Sequence, residues 1–192
     1  MPFTVDPDDR IRTERLTLRP FTEGDLDLVF AMFSNADVVR YLYEDPTTQD
    51  QARAALTRKI GNRAIAAEGD RVSFAVELRA TGETVGDVMV QWVSRAHAQG
   101  EIGFVFHPDH QGRGYATEAV SPLLRIAFDE LGLHRVIGRL EARNAASARV
   151  LEKIGMRREA HLVENEWVKG EWQSELVYAI LDREWRRLRG GS

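Results

Sequence analysis

The hexapeptide Gln111-Gly112-Arg113-Gly114-Tyr115-Ala116 constrains this chain more than any other stretch. It follows the apolar run Ile102-Gly103-Phe104-Val105-Phe106 and leads into a helical pattern that starts near Thr117. Strand, glycine-rich loop and helix in that order aim backbone N–H groups and the positive end of a helix dipole at one point in space. Such a point binds phosphate. Gly112 and Gly114 can adopt positive φ and let the backbone come close to phosphate oxygens. The same two glycines also suit a tight turn that holds nothing. Arg113 carries a charge that either meets a phosphate or is simply solvated.

Two familiar phosphate loops do not fit. A nucleoside-triphosphate loop needs Lys-Ser or Lys-Thr after its second glycine, and Gly114 is followed by Tyr115-Ala116. A dinucleotide fingerprint accepts Gly112 and Gly114 but needs a third glycine where this chain has Thr117. It also belongs after the first strand of a parallel βαβ unit, and the strands before this loop are linked by hairpins.

Those strands are legible from alternation. Glu14 to Pro20 is one, Arg71 to Arg79 another, and Thr84 to Val93 follows after the turn Ala80-Thr81-Gly82-Glu83. Glu101 to Phe106 feeds the glycine loop. Between the first two strands, Thr22 caps a helix carrying Leu26, Val29, Phe30 and Phe33. Val38 to Leu42 reads as a short helix and Thr48 to Ala67 as a longer one. After the loop, Ala116, Val120, Leu123, Leu124, Ala127 and Leu131 share one helix face, with a kink expected at Pro122 and a C-cap at Gly132. Arg135 to Ala142 is the next strand. Asn144 caps a helix from Ala145 to Ile154, and Met156 to Val168 and Trp172 to Leu181 form a last hairpin around Lys169-Gly170. The tail from Asp182 to Arg189 is charged. The expected fold is α/β of the mixed α+β kind, with a largely antiparallel sheet. The expectation is a single domain over residues 1–192, with its core at about 13–181.

Composition narrows the chemistry. The 192 residues include no cysteine, which excludes disulfides, thiolate metal sites and a cysteine nucleophile. The five histidines are dispersed, and no metal site is expected. A net charge of -4 gives no reason to expect a nucleic-acid partner. No apolar run approaches the roughly 20 residues that span a bilayer. The start, Met1-Pro2-Phe3-Thr4-Val5-Asp6, lacks the basic and apolar parts of a secretion signal. The expectation is a cytoplasmic protein without a membrane partner.

The spacing that does fit the loop is Gln/Arg-x-x-Gly-x-Gly/Ala. Here the sequence resembles the GNAT superfamily of acyl-CoA N-acyltransferases. Thr13-Glu14-Arg15-Leu16-Thr17-Leu18-Arg19-Pro20 looks like the opening strand of its RimJ/RimL-like branch. Glu101-Ile102-Gly103-Phe104 with Gly112 to Ala119 is similar to that branch's central signature. Asn144-Ala145-Ala146-Ser147 through Lys153-Ile154-Gly155-Met156 is similar to its late one. The likeness covers nearly the whole chain in the right order. It implies the GNAT fold, with a mostly antiparallel sheet of about seven strands flanked by helices. It also implies acetyl-CoA as cosubstrate, no metal, and an amine acceptor, either a peptide N-terminus or a small molecule.

The resemblance assigns expectations to particular residues. Gln111, Gly112, Arg113, Gly114, Tyr115, Ala116 and Thr117 would hold the pyrophosphate of coenzyme A. Phe104, Val105 and Phe106 would lie where this strand splays from Arg135 to Ala142, leaving backbone groups for the pantetheine arm. Gly103 suits a bulge there. Asn144 would contact the same arm, although it is equally an ordinary helix cap. Ser147 stands where branch members commonly carry a serine, as general acid or thiolate hydrogen bond. A tyrosine used by many superfamily members is replaced by Leu151. Glu101 is the first candidate for the base that deprotonates the amine, with His107 second. Alternation puts Glu101 on the face opposite Phe104 and Phe106 unless the bulge resets the phase. The acceptor pocket is expected from Tyr41 to Asp45, Ser94 to Gly100 and the hairpin around Glu164 to Trp172, with Trp92, Trp167 and Trp172 as possible walls. A homodimer is compatible with this reading. So is a non-catalytic acyl-CoA-binding module, which Leu151 leaves open.

Overall fold

The computed structural model describes residues 2–190. Its centre is an eight-stranded sheet. In chain order its strands are β2 (Ile11–Arg12), β3 (Leu16–Arg19), β5 (Arg71–Leu78), β6 (Thr84–Ser94), β7 (Gln99–Phe106), β8 (Arg135–Glu141), β9 (Arg157–Val168) and β10 (Glu171–Leu181). Their spatial order is β2-β3-β5-β6-β7-β8-β10-β9. Only β7 and β8 run parallel; every other neighbouring pair is antiparallel. Two short strands, β1 (Phe3–Thr4) and β4 (Ala64–Ile65), pair apart from it. The helices are α1 (Leu26–Phe33), α2 (Ala36–Val39), α3 (Gln49–Gly61), α4 (Tyr115–Arg125), α5 (Ala145–Lys153) and α6 (Asp182–Gly190).

Alternation along β5 divides the core between the two faces. Val72, Phe74 and Val76 join the main cluster with Val120, Leu123 and Leu124 of α4 and Leu151 of α5. Ala75 points the other way, to Val29 of α1 and Ala52 and Leu56 of α3. The expected face of α4 is the buried one, with Ala119 added.

The structure departs from the sequence expectations at definable places. The long helix ends at Gly61, before Ala67, because Asn62 leaves the helical region and the chain turns into β4. The charged tail is a helix: Trp185 is buried against Phe128 at 5.2 Å, and Arg186 pairs with Asp182 one turn back. Pro122 lies inside α4, which continues into a π-helical turn at Ile126–Glu130, where Leu131 N–H donates to the Ile126 carbonyl at 2.9 Å. Gly103 makes no bulge. The β6–β7 register is unbroken from Gly86↔Phe106 to Trp92↔Gly100, and the irregularity falls between Trp92 and Ser94. A Cβ at Gly103 would meet Met89 Cε at 2.8 Å, the far end of a flexible side chain that can move aside.

Gly138 is a tight seat under α5. It lies in β8 beneath α5, and a Cβ would meet the two Leu151 methyls at 2.8 and 3.0 Å. Leu151 is 1% exposed and has nowhere to go. Gly138→Ala is expected to destabilise the protein by about 1–3 kcal/mol, read as a lower urea midpoint with unchanged slope. A midpoint equal to that of the unsubstituted chain would show that α5 yields freely.

Candidate active site

The parallel pairing of β7 and β8 is short. It runs Gln99↔Arg135, Gly100↔Val136 and Glu101↔Ile137, and then stops. β7 goes on to Phe106 against β6, and β8 goes on to Glu141 against β10. The two strands therefore part after Glu101, and a cavity of about 280 Å³ opens beside the end of β7. Phe104, Val105 and Phe106 form one wall of it.

A second wall is the loop into α4. Gly112 and Gly114 both have positive φ, 74° and 81°. Gly114 is the residue before α4 and brings no side-chain cap. The first intrahelical bond is Glu118 N–H to the Gly114 carbonyl at 3.1 Å. The N–H groups at the start of such a helix have no partner within it, and Tyr115, Ala116 and Thr117 place them against the cavity. Gln111 lines the cavity too, but its amide N–H₂ donates to the Phe106 carbonyl at 3.0 Å and so closes the loop onto the strand. Arg113 lies exposed and is not part of the wall. Its carbonyl accepts from Arg15 Nη1 at 3.0 Å.

The third wall is α5. Asn144 caps it by accepting the Ser147 N–H at 3.0 Å, and both residues face the cavity. Arg149, Val150 and Lys153 share that face. Sequence reading singled out neither cation, although the i, i+4 spacing from a capped start was a usable signal. Leu151 points into the core beneath Gly138. Ser147 is therefore the hydroxyl that α5 presents to the cavity.

Glu101, at the point of separation, faces a second cavity of about 140 Å³. Tyr41 and Leu42 line both cavities, so the two adjoin. With the register unbroken, Glu101 stays opposite Phe104 and Phe106, as alternation alone required. Sequence reading missed its neighbours Glu166, Glu175 and Arg139. Arg139 Nε lies 3.3 Å from Glu101, and Arg139 Nη1 lies 3.9 Å from Glu175. The Tyr43 hydroxyl donates to Glu166 at 2.5 Å. Glu175 is 7% exposed. Burial pushes its carboxyl above the usual range; Arg139 draws it back, and Glu166 and Glu101 push it up again. Burial, and then Glu166, also raise the Tyr43 hydroxyl.

The segments expected to form an acceptor pocket divide between the second cavity and other places. Tyr41 to Glu44 and Glu166 line the second cavity. The segment Ser94 to Gly100 lies at the far end of β7 and does not. Trp92 donates to the Ser94 carbonyl at 3.1 Å. Trp167 and Trp172 stack edge-to-face at 5.4 Å on the exposed hairpin. His107 accepts the Asp109 N–H as a turn cap and lines neither cavity, whereas His110 lines the larger one. Among the described residues no group of three or more His, Cys, Asp or Glu could hold a metal ion, and no helix is long and apolar enough to cross a membrane.

Residues 15–157 match the acetyltransferase (GNAT) domain family, and the chain belongs to it. YnaD of Bacillus subtilis, an N-acetyltransferase by name, is 35% identical over 91% of this chain and 98% of its own. The spermidine N(1)-acetyltransferase of Vibrio cholerae is 27% identical over 83% of this chain and 88% of its own. Among solved structures, a GNAT-family acetyltransferase from Bacillus anthracis superposes with a TM-score of 0.81 at 35% identity, covering 92% of this chain and all of that one. The Vibrio cholerae spermidine N-acetyltransferase in complex with CoA and spermine superposes with 0.77 at 25% identity, over 91% and 99%. The fold is the GNAT fold, and the protein is an acetyl-CoA-dependent N-acetyltransferase.

Glu118, in the first turn of α4, holds the loop to the N-terminal strand. It accepts from the Thr13 hydroxyl at 2.5 Å, the Arg15 N–H at 2.7 Å and Arg15 Nε at 2.7 Å. Burial alone would raise its carboxyl, but these donors outweigh it and hold the group below its ordinary 4.5. Its contribution to stability is complete above that value and fades as pH falls through the lower folded one. Glu118→Gln is expected to melt below the parent protein at neutral pH, with the gap narrowing in acid. A gap in melting temperature that stays constant through the acid range would show that the carboxylate charge contributes nothing.

Proposed function

We propose that the protein acetylates a small cationic primary amine, taking the acetyl group from acetyl-CoA within a ternary complex, as a RimJ/RimL-like enzyme. The observation that carries this is the junction of two cavities of opposite character at the parting of β7 and β8. One offers free helix N–H groups, Arg149 and Lys153, which suit phosphates. The other offers Glu101, Glu166 and Glu175, which suit an ammonium. The roof residue Tyr43 is tied to Glu166, and the cavity under it is small. Both facts favour a small amine over a folded protein's N-terminus. The likeness to spermidine acetyltransferases agrees.

In this reading the loop from Gln111 to Thr117 takes the pyrophosphate, with Arg113 free to swing onto it from solvent. The free edge at Phe104, Val105 and Phe106, together with Asn144, takes the amide-bearing arm. Glu101 receives the proton that the ammonium must lose, directly or through water. The nitrogen then bonds to the acetyl carbon as the carbon–sulfur bond breaks; the Ser147 hydroxyl gives its proton to the departing thiolate and regains one, through water, from the second that the nitrogen sheds.

The test is thiol release with a panel of amines and peptide N-termini. Glu101→Gln and Ser147→Ala are each expected to lower kcat about a hundredfold or more, with acetyl-CoA affinity by calorimetry within about twofold. Turnover kept in both variants would remove these two roles. Turnover of peptides alone would remove the acceptor.

A further inference from the structure

Arg139 is the one guanidinium that lines the acceptor cavity. Compare it with Arg19, which grips Asp25 through two bonds of 2.8 Å and is 13% exposed. Arg139 reaches Glu101 through Nε alone at 3.3 Å, stands 3.9 Å from Glu175, and is 46% exposed. It forms no fork-to-fork pair, which is the arrangement that makes an arginine–carboxylate contact strong and rigid. Its position is also particular. It lies on β8 two residues past Ile137, the last residue paired with β7. It therefore stands at the mouth of the split, between the carboxylate proposed as base and the buried one behind it.

The other charged or titratable groups facing it come from every element around the cavity. They are Glu101 of β7, Glu166 of β9, Glu175 of β10, Glu141 of β8, and Tyr41, Tyr43 and Glu44 of the segment after α2. Glu141 is taken by Arg143 at 2.8 Å. Tyr43 is a neutral donor to Glu166. Glu101, Glu166 and Glu175 thus face a single loosely held cation.

We infer that Arg139 is a tethered stand-in for the cationic acceptor, occupying the carboxylates of the empty cavity and giving way when an amine enters. This rests on the amine-acceptor reading above. Arg139 is then a positioning residue: it acts through Glu101 and Glu175 and touches no reacting atom. It draws the raised Glu175 carboxyl back towards the ionised form, and it competes with the acceptor for both carboxylates. Weak holding is what such a role needs, since a forked, buried pair would not yield to a substrate.

The test is steady-state thiol release with whichever cationic amine the panel identifies, across pH. Arg139→Gln is expected to lower KM for that amine about tenfold, with kcat within about threefold. Acetyl-CoA affinity should not move. The acid limb of the kcat/KM profile should shift to higher pH, because Glu175 loses the neighbouring positive charge that draws its carboxyl down. Arg139→Lys, which keeps the charge, should stay within about twofold of the parent protein on both readings. Arg139→Met carries the same expectation as Arg139→Gln, so the test survives a folding failure of either one. An unchanged or raised KM, or a lysine variant that behaves like the glutamine one, overturns the inference. A parent protein that turns over no cationic amine fails the underlying reading instead, and a parent protein active on such an amine keeps the two failures apart.

Discussion

The structure depends on two adjacent strands that stop bonding to each other while each stays bonded on its other side. β7 keeps β6 to its end at Gly86↔Phe106, and β8 keeps β10 to Glu141↔Glu175. Each strand is thus fixed in place by its outer partner, and the bonds given up between them are affordable. Backbone N–H and C=O groups left open in a sheet interior must find other partners. Here they border a cavity, where an amide-bearing ligand or water can supply them. A fully antiparallel sheet would offer no such opening, because a hairpin neighbour would be held in register by its turn.

The two helices that follow the parting strands make the opening useful. α4 starts after the eight-residue loop that follows β7, and α5 after the three residues that follow β8. Both therefore present their N-termini on the same cavity. They are fixed from different sides. Glu118 of α4 is gripped by Thr13 and Arg15, which joins the start of the chain to the glycine loop. Arg15 also lies 4.7 Å over the Tyr115 ring. Leu151 of α5 sits on the bare backbone of Gly138. Leu151 therefore does packing work. In the proposed reaction the proton-donating task expected at its position falls to Ser147, one turn earlier on the cavity side.

Local pattern made much of this legible. The glycine loop, the cap at Asn144 and the Lys169-Gly170 turn follow from residue types a few positions apart, and the splayed strand from the family resemblance. What was hidden depends on distance in the chain. Glu175 looks like a surface residue in an alternating strand, and only Tyr43, 132 residues earlier, makes it part of a site. Arg139 reads as an outward strand residue until the split leaves Glu101 beside it. α6 was hidden differently: one buried Trp185 in a charged run gives little periodicity, and its helix is held by ion pairs such as Arg157 with Glu184 that no local rule reveals. Helix ends were misread for the same reason, since Gly61-Asn62 stops α3 only because β4 is waiting to pair.

If the smaller cavity takes the amine, as proposed, it has to satisfy two opposed demands. An amine arrives as a cation, which carboxylates attract, but it must lose its proton before it can bond to carbon. A single carboxylate that bound the ammonium tightly would stabilise the form that cannot react. Several carboxylates at different depths separate the tasks. Glu175 is buried deeply enough for its carboxyl to be raised, and Glu166 is engaged by Tyr43. Both serve to hold positive charge. Glu101 stands where the strands part, at the border with the cavity that Ser147 faces. In the proposed reaction it is the carboxylate that would take a proton from a nitrogen facing the thioester. The depth of each carboxylate, set by which strand carries it, would then let one small cavity bind a cation and still release a neutral amine.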